Sequence, residues 1–147
     1  MNFFVWSTIV LGVWSALGPL VGILIGHRIT KEWQKKQWIL ENKKQEYREV
    51  IQALSTAQAP IIQCVAPGLI VGEEERRARY IAENKSYEVL GNRLFVAKEL
   101  DELDIYDQWV HLISKFEKTR DDREFARGVK AITEDIRNTA LKSLEAE

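Results

Sequence analysis

No ionisable side chain occurs from Met1 to Gly26, and Phe3 to Ile25 is a nearly unbroken run of Phe, Val, Ile, Leu, Trp, Ala and Gly. A helix rises about 1.5 Å per residue, so such a run matches the roughly 30 Å hydrocarbon core of a bilayer. Buried helices of globular domains rarely run so long without a charge. The pattern predicts a transmembrane anchor over residues 1–26. A cleaved leader is disfavoured: the basic n-region is missing, the apolar run is too long, and Gly26-His27-Arg28-Ile29 is no cleavage site.

Beyond the anchor the period becomes helical and amphipathic. From Arg28 to about Gln58 there is no Gly or Pro, and Trp33, Leu40, Tyr47 and Leu54 recur every seven residues. Val50, Ile51 and Ala57 widen that stripe only in its second half. Residues 27–58 therefore read as a juxtamembrane stalk helix, solvated at first and then entering a bundle. Pro60, Pro67-Gly68 and Gly72 interrupt the pattern, and residues 59–72 read as an apolar connector containing Ile61, Ile62, Val65, Leu69, Ile70 and Val71.

Residues 73–147 supply the remaining bundle helices. Ile81, Asn84, Tyr87, Leu90, Leu94, Ala97 and Leu100 define one face. Ile105, Trp109, Leu112, Ile113 and Phe116 define the next, and Phe125, Val129, Ile132, Ile136, Ala140 and Leu144 the last. Glu73, Glu74 and Glu75 suit a helix N-terminus, and Asp121 with Glu124 resembles a capping box. No stretch alternates with period two. The expected fold is all-α: an N-terminal transmembrane helix followed by a cytoplasmic antiparallel four-helix bundle.

Charge sets the orientation and narrows the partners. The 147 residues hold 21 Lys and Arg against 22 Asp and Glu, without the dominant basic surface of a nucleic-acid binder, so no nucleic-acid partner is expected. The anchor has no Lys or Arg before it, and Arg28, Lys31, Lys35, Lys36, Lys43, Lys44 and Arg48 after it. The positive-inside rule places the C-terminal part in the cytoplasm and the N-terminus outside. His27, Arg28, Lys31, Trp33, Lys35, Lys36 and Trp38 are the candidate interfacial residues. Each Lys or Arg near anionic membrane lipids contributes about 1 kcal/mol of attraction. Within the anchor, Ser15, Gly18, Gly22 and Gly26 form a small-residue stripe suited to close helix–helix packing, and Pro19 predicts a kink.

Candidate chemistry is sparse. The two histidines have no Glu three residues before them, since Leu24 and Gln108 stand there, so the di-iron pattern of helical bundles is missing. His27 reads as interfacial and His111 as a structural residue at the edge of a core face. Glu99, Asp101, Glu102, Asp104 and Asp107 cluster at an expected turn without the spacing of a calcium loop. The single cysteine, Cys64, sits in an apolar segment and reads as a small hydrophobe. There is no phosphate loop and no nucleophile elbow. No catalytic residue, cofactor or metal is expected, and the chain does not read as an enzyme.

The run Trp33-Gln34-Lys35-Lys36-Gln37-Trp38, continuing to Asn42-Lys43-Lys44-Gln45-Glu46-Tyr47-Arg48-Glu49, resembles a juxtamembrane segment of small bacterial single-pass membrane proteins. Thr119 to Ala126 is similar to the start of their final helix. The resemblance covers about a sixth of the chain. It implies a bacterial inner-membrane location and a helical cytoplasmic part, and that group supplies no established activity or catalytic residue to carry over.

The leading expectation is a single-pass membrane protein whose bundle binds itself or another protein. Two alternatives are a homo-oligomeric effector or pore packed through the Gly18/Gly22/Gly26 face, and a small accessory subunit of a larger membrane complex.

Overall fold

The computed structural model describes residues 2–65 and 71–145, with side chains described for 22, 23, 26–65 and 71–145. The described residues form five helices and no strand: α1 (Asn2–Val65), α2 (Glu73–Gly91), α3 (Ala97–Glu102), α4 (Ile105–Thr119) and α5 (Asp122–Glu145). The chain is all-α. It divides into two compact units, Met1–Ile39 and Leu40–Glu147.

In the first unit, residues 26–38 are exposed without exception. The Thr30 hydroxyl donates to the Gly26 carbonyl at 2.8 Å, and Arg28 pairs with Glu32 at 3.8 Å. No helix among the described residues is long and apolar enough to cross a membrane. Most of the predicted anchor, with its kink at Pro19 and the packing residues Ser15 and Gly18, lies outside the residues whose side chains are described.

The second unit holds the core. Tyr47, Val50, Leu54, Ala57 and Ile61 of α1 are buried together with Val89 and Leu90 of α2 and Leu100 of α3. Trp109, Ile113 and Phe116 of α4 join Phe125, Val129, Ile132 and Ile136 of α5. Phe116 stacks on Phe125 with ring centroids 4.5 Å apart, and Trp109 lies 6.2 Å from the same ring. These are the separations that aromatic pairs prefer. Helix α4 packs close to α5 at Gly128, where a Cβ would force the Leu112 side chain to shift. The expected stripes of the last two helices are the observed ones. Asp121 also caps α5, its Oδ1 accepting from the Arg123 and Glu124 amides at 3.0 and 2.9 Å. The reciprocal half of the box is not made, since Glu124 pairs with Lys115 at 2.7 Å.

Three expectations need correction. Helix α1 runs through Pro60 to Val65, so the first part of the expected connector is helix and buries Ile61 in the core. Residues 66–70 of that connector lie outside the described residues. The second bundle helix does not continue to Leu100. It ends at Gly91, leaves Ile81 and Leu94 exposed at 59% and 79%, and buries Ser86 and Val89 instead of Asn84. His111 is exposed rather than at the edge of the core.

Candidate functional site

The break after α2 has a specific cause in α1. The Glu46 carboxylate accepts from the amides of Phe95 at 2.9 Å, Val96 at 3.1 Å and Leu94 at 3.2 Å. These are amide donors just before α3 that have no carbonyl of their own within a helix. A carboxylate held by several N–H groups is a charge-assisted arrangement, stronger than neutral pairs. One turn on, Glu49 accepts from Arg93 at 2.8 Å and from Gln45 at 3.0 Å. The Arg93 guanidinium, only 8% exposed, also donates to the Val89 carbonyl. Arg93, and secondarily Gln45, hold the Glu49 carboxyl below its ordinary range.

One turn before Glu46, Lys43 reaches Glu99 of α3 at 3.2 Å and Ser143 of α5 at 3.3 Å. Ser143 in turn donates to Glu99 at 3.3 Å. Burial raises the Glu99 carboxyl, but its own backbone amide, Lys43 and Ser143 outweigh that and leave it lowered. A Ser hydroxyl beside a Lys amine is the spacing of a nucleophile and its base, yet nucleophilic catalysis needs that amine neutral. The Glu99 carboxylate at 3.2 Å pairs with that amine, and the triad ties α1, α3 and α5 together.

A second polar network joins α2 to α4. The Ser86 hydroxyl donates to the Glu83 carbonyl at 2.6 Å and accepts from Trp109 Nε1 at 2.8 Å, which lets a polar side chain enter the core fully satisfied. Glu83 takes hydrogen bonds from Tyr87 at 3.2 Å and Arg79 at 3.3 Å, and Arg79 also pairs with Glu117. Burial, reinforced by Glu83, pushes the Tyr87 phenol up to about 12. Desolvation works against the Arg79 charge, but Glu117 and Glu83 outweigh it and its pKa is raised.

Two of the openings on the second unit lie between helices. One, of about 450 Å³ between α1 and α2, is lined by Glu49, Lys85, Glu88 and Arg93 among others. Its charges are matched internally, Arg93 to Glu49 at 2.8 Å and Lys85 to Glu88 at 3.3 Å. The other, of about 260 Å³ between α1 and α5, has Tyr47, Ile51, Leu141 and Leu144 on its walls and Lys44, Arg48 and Arg137 around them.

The sequence-derived site residues are elsewhere. His27, Arg28, Lys31, Trp33, Lys35, Lys36 and Trp38 are all exposed in the first unit, with Trp33 at 62% and Trp38 at 59%. Gly22 and Gly26 have nothing within 4 Å of where a Cβ would stand. Among the described residues no three His, Cys, Asp or Glu side chains converge as metal ligands. Within the acidic cluster Glu99 turns inward to Lys43, while Asp101, Glu102, Asp104 and Asp107 stay exposed. Glu46, Glu49 and Arg93 escape sequence reasoning because the first two look like acids diluting a basic stalk, and Arg93 lies outside every apolar stripe. Comparison with family models, curated proteins and solved structures finds no match.

Proposed function

We propose that the chain is a non-enzymatic, single-pass membrane protein: a transmembrane helix over residues 1–26, then a cytoplasmic antiparallel four-helix bundle that binds a second copy or another protein. The observation that carries this reading is the profile of the first unit. Twenty-six positions without an ionisable side chain are followed by a fully exposed run of cations and two tryptophans. Lys and Arg just beyond a span, with Trp at the headgroup level, are the marks of a cytoplasmic membrane interface. The non-enzymatic part is supported by the polar clusters of the bundle, whose charges are matched to one another, Lys43 to Glu99 and Arg93 to Glu49.

Cys64 offers a direct test, because it is the sole thiol and is partly exposed on the bundle side. In bacterial cells expressing the full chain, the protein should resist alkaline extraction from membranes. A membrane-impermeant maleimide should label Cys64 only after permeabilisation. Recovery in the soluble fraction defeats the anchor, and labelling of intact cells defeats the orientation.

A second reading is packing of the anchors through the Gly18/Gly22/Gly26 face, as a homo-oligomeric effector or pore. It is favoured by the open space at Gly22 and Gly26, where another helix backbone could approach closely. Loss of oligomers in Gly22→Leu is its test.

A further inference from the structure

We infer that the groove between α1 and α5 receives a second copy of this chain, which inserts the acid-ringed corner between its α3 and α4. The inference rests on the self-associating form of the function proposed above.

The groove is an anomaly of charge. The second unit, residues 40–147, carries 17 basic and 21 acidic side chains, yet Lys44, Arg48 and Arg137 converge here and no carboxylate among the described residues lines the opening. Lys44 has only the exposed Glu41 at 3.6 Å, and among the described residues Arg48 and Arg137 make no ion pair. The walls between these cations are apolar, with Leu141 left 56% exposed. At about 260 Å³ the opening is below the roughly 300–1,000 Å³ of small-ligand pockets. It suits apolar side chains projecting from a docked helix, with carboxylates beside them to meet the cations.

The same chain presents that helix. On α4, Tyr106 and Val110 are 48% and 39% exposed and stand four residues apart on one face. Asp107 follows Tyr106 directly, and Asp101, Glu102 and Asp104 of the preceding turn are exposed around it. The one lysine of the corner, Lys98, is already engaged by Glu102 at 3.7 Å. The corner is thus an apolar knob ringed by negative charge, and the groove an apolar slot ringed by positive charge. Within one copy they belong to different helix pairs, and α4 is held by the fully buried Ile105 and Trp109, so the two surfaces fit only between copies. The contact is head-to-tail. Each copy keeps a groove and a corner, so the assembly grows into a ring or an open array in the membrane plane rather than stopping at a symmetric dimer.

The test is a charge swap in the full-length protein, reconstituted in vesicles of zwitterionic lipid and read by energy transfer between two labelled populations. Arg48→Glu with Arg137→Glu should weaken association at least tenfold, and Asp101→Lys with Asp107→Lys should do the same. The chain carrying all four changes should recover association to within a few-fold of the original. Raising the salt from about 50 mM to about 500 mM should weaken the original contact, since rim charges steer encounter through the screened field. If a reversal variant loses its cooperative melt, the charge-removing Arg48→Gln and Arg137→Gln pair carries the same test with a smaller drop. Association insensitive to both pairs, or not restored in the fourfold variant when it melts cooperatively, overturns the inference. If Gly22→Leu alone then abolishes association, self-association stands and belongs to the anchors. A full-length chain that is monomeric throughout overturns both this contact and self-association, while leaving the membrane anchor intact.

Discussion

Trp33 and Leu54 lie three heptads apart on one stripe of α1, yet Trp33 is 62% exposed and Leu54 is fully buried. The difference is not one of local pattern, because Leu40 and Tyr47 continue the same register between them. It lies in what the other helices offer. From Tyr47 to Ile61 the stripe meets apolar faces from the rest of the bundle, and Lys43, Glu46 and Glu49 around its start fasten it to α3, α5 and the loop before α3. Residues 26–38, which belong to the other unit, are exposed throughout. An amphipathic stripe is a capacity for burial, and helical stability in the packed half comes from tertiary contacts rather than propensity.

That contrast can be broken most sharply at the core. Trp109→Ala removes the largest fully buried side chain and should lower stability by about 3–5 kcal/mol, read from urea unfolding of the full chain by circular dichroism. Glu46→Ala should cost about 2 kcal/mol, because three amides lose a charged acceptor and water replaces it only in part. Its distinguishing sign is local: hydrogen exchange at Leu94, Phe95 and Val96 should accelerate more than at the core of α5. Protection that persists there would mean that the loop holds its shape without α1. Ser86→Ala should cost about 1–3 kcal/mol, since it leaves the buried Trp109 Nε1 without an acceptor.

Acid should narrow the difference between the halves in a graded way. Glu99 has its folded pKa lowered, so its contribution is fully present above the ordinary value of 4.5 and is lost as pH falls through the lower folded value. Lys43→Met should therefore reduce stability at neutral pH, with the gap to the original chain closing below about pH 4. A gap that stays constant through that range would show that Lys43 acts by packing its aliphatic stem alone. The smallest effect belongs to the exposed half: Trp33→Ala should change unfolding stability by no more than about 0.5 kcal/mol while weakening vesicle binding of the full chain. A larger loss of stability would place Trp33 in a contact of its own.

The all-α class, the start of the last helix and the buried stripes of the last two helices were legible in the sequence, because strong 3.6-residue periodicity and an Asp cap act locally. Phe125, Val129, Ile132 and Ile136 need no knowledge of the remainder of the chain to be placed on one face. The helix running from Glu73 to Leu100 was misread for the opposite reason. Its apolar residues fit one long helix in register, while the break at 92–96 is held in large part by carboxylates from a helix some fifty residues earlier. Ser86 was invisible as a core residue because a hydroxyl enters the interior only when a particular donor and acceptor are waiting for it.

What the sequence by itself determined is therefore the helical character, the segregation of charge after Gly26 and the capacity of each stripe to be buried. These follow from side chains a few residues apart and from the cost of placing charge in an apolar medium. Which stripes are covered, where α2 stops, how Glu46 and Lys43 tie three helices together, and where a basic groove and an acidic corner come to stand on one surface were decided only by the tertiary structure. Each depends on groups tens of residues apart in the chain, whose meeting is fixed by the packing of the whole core rather than by any local preference.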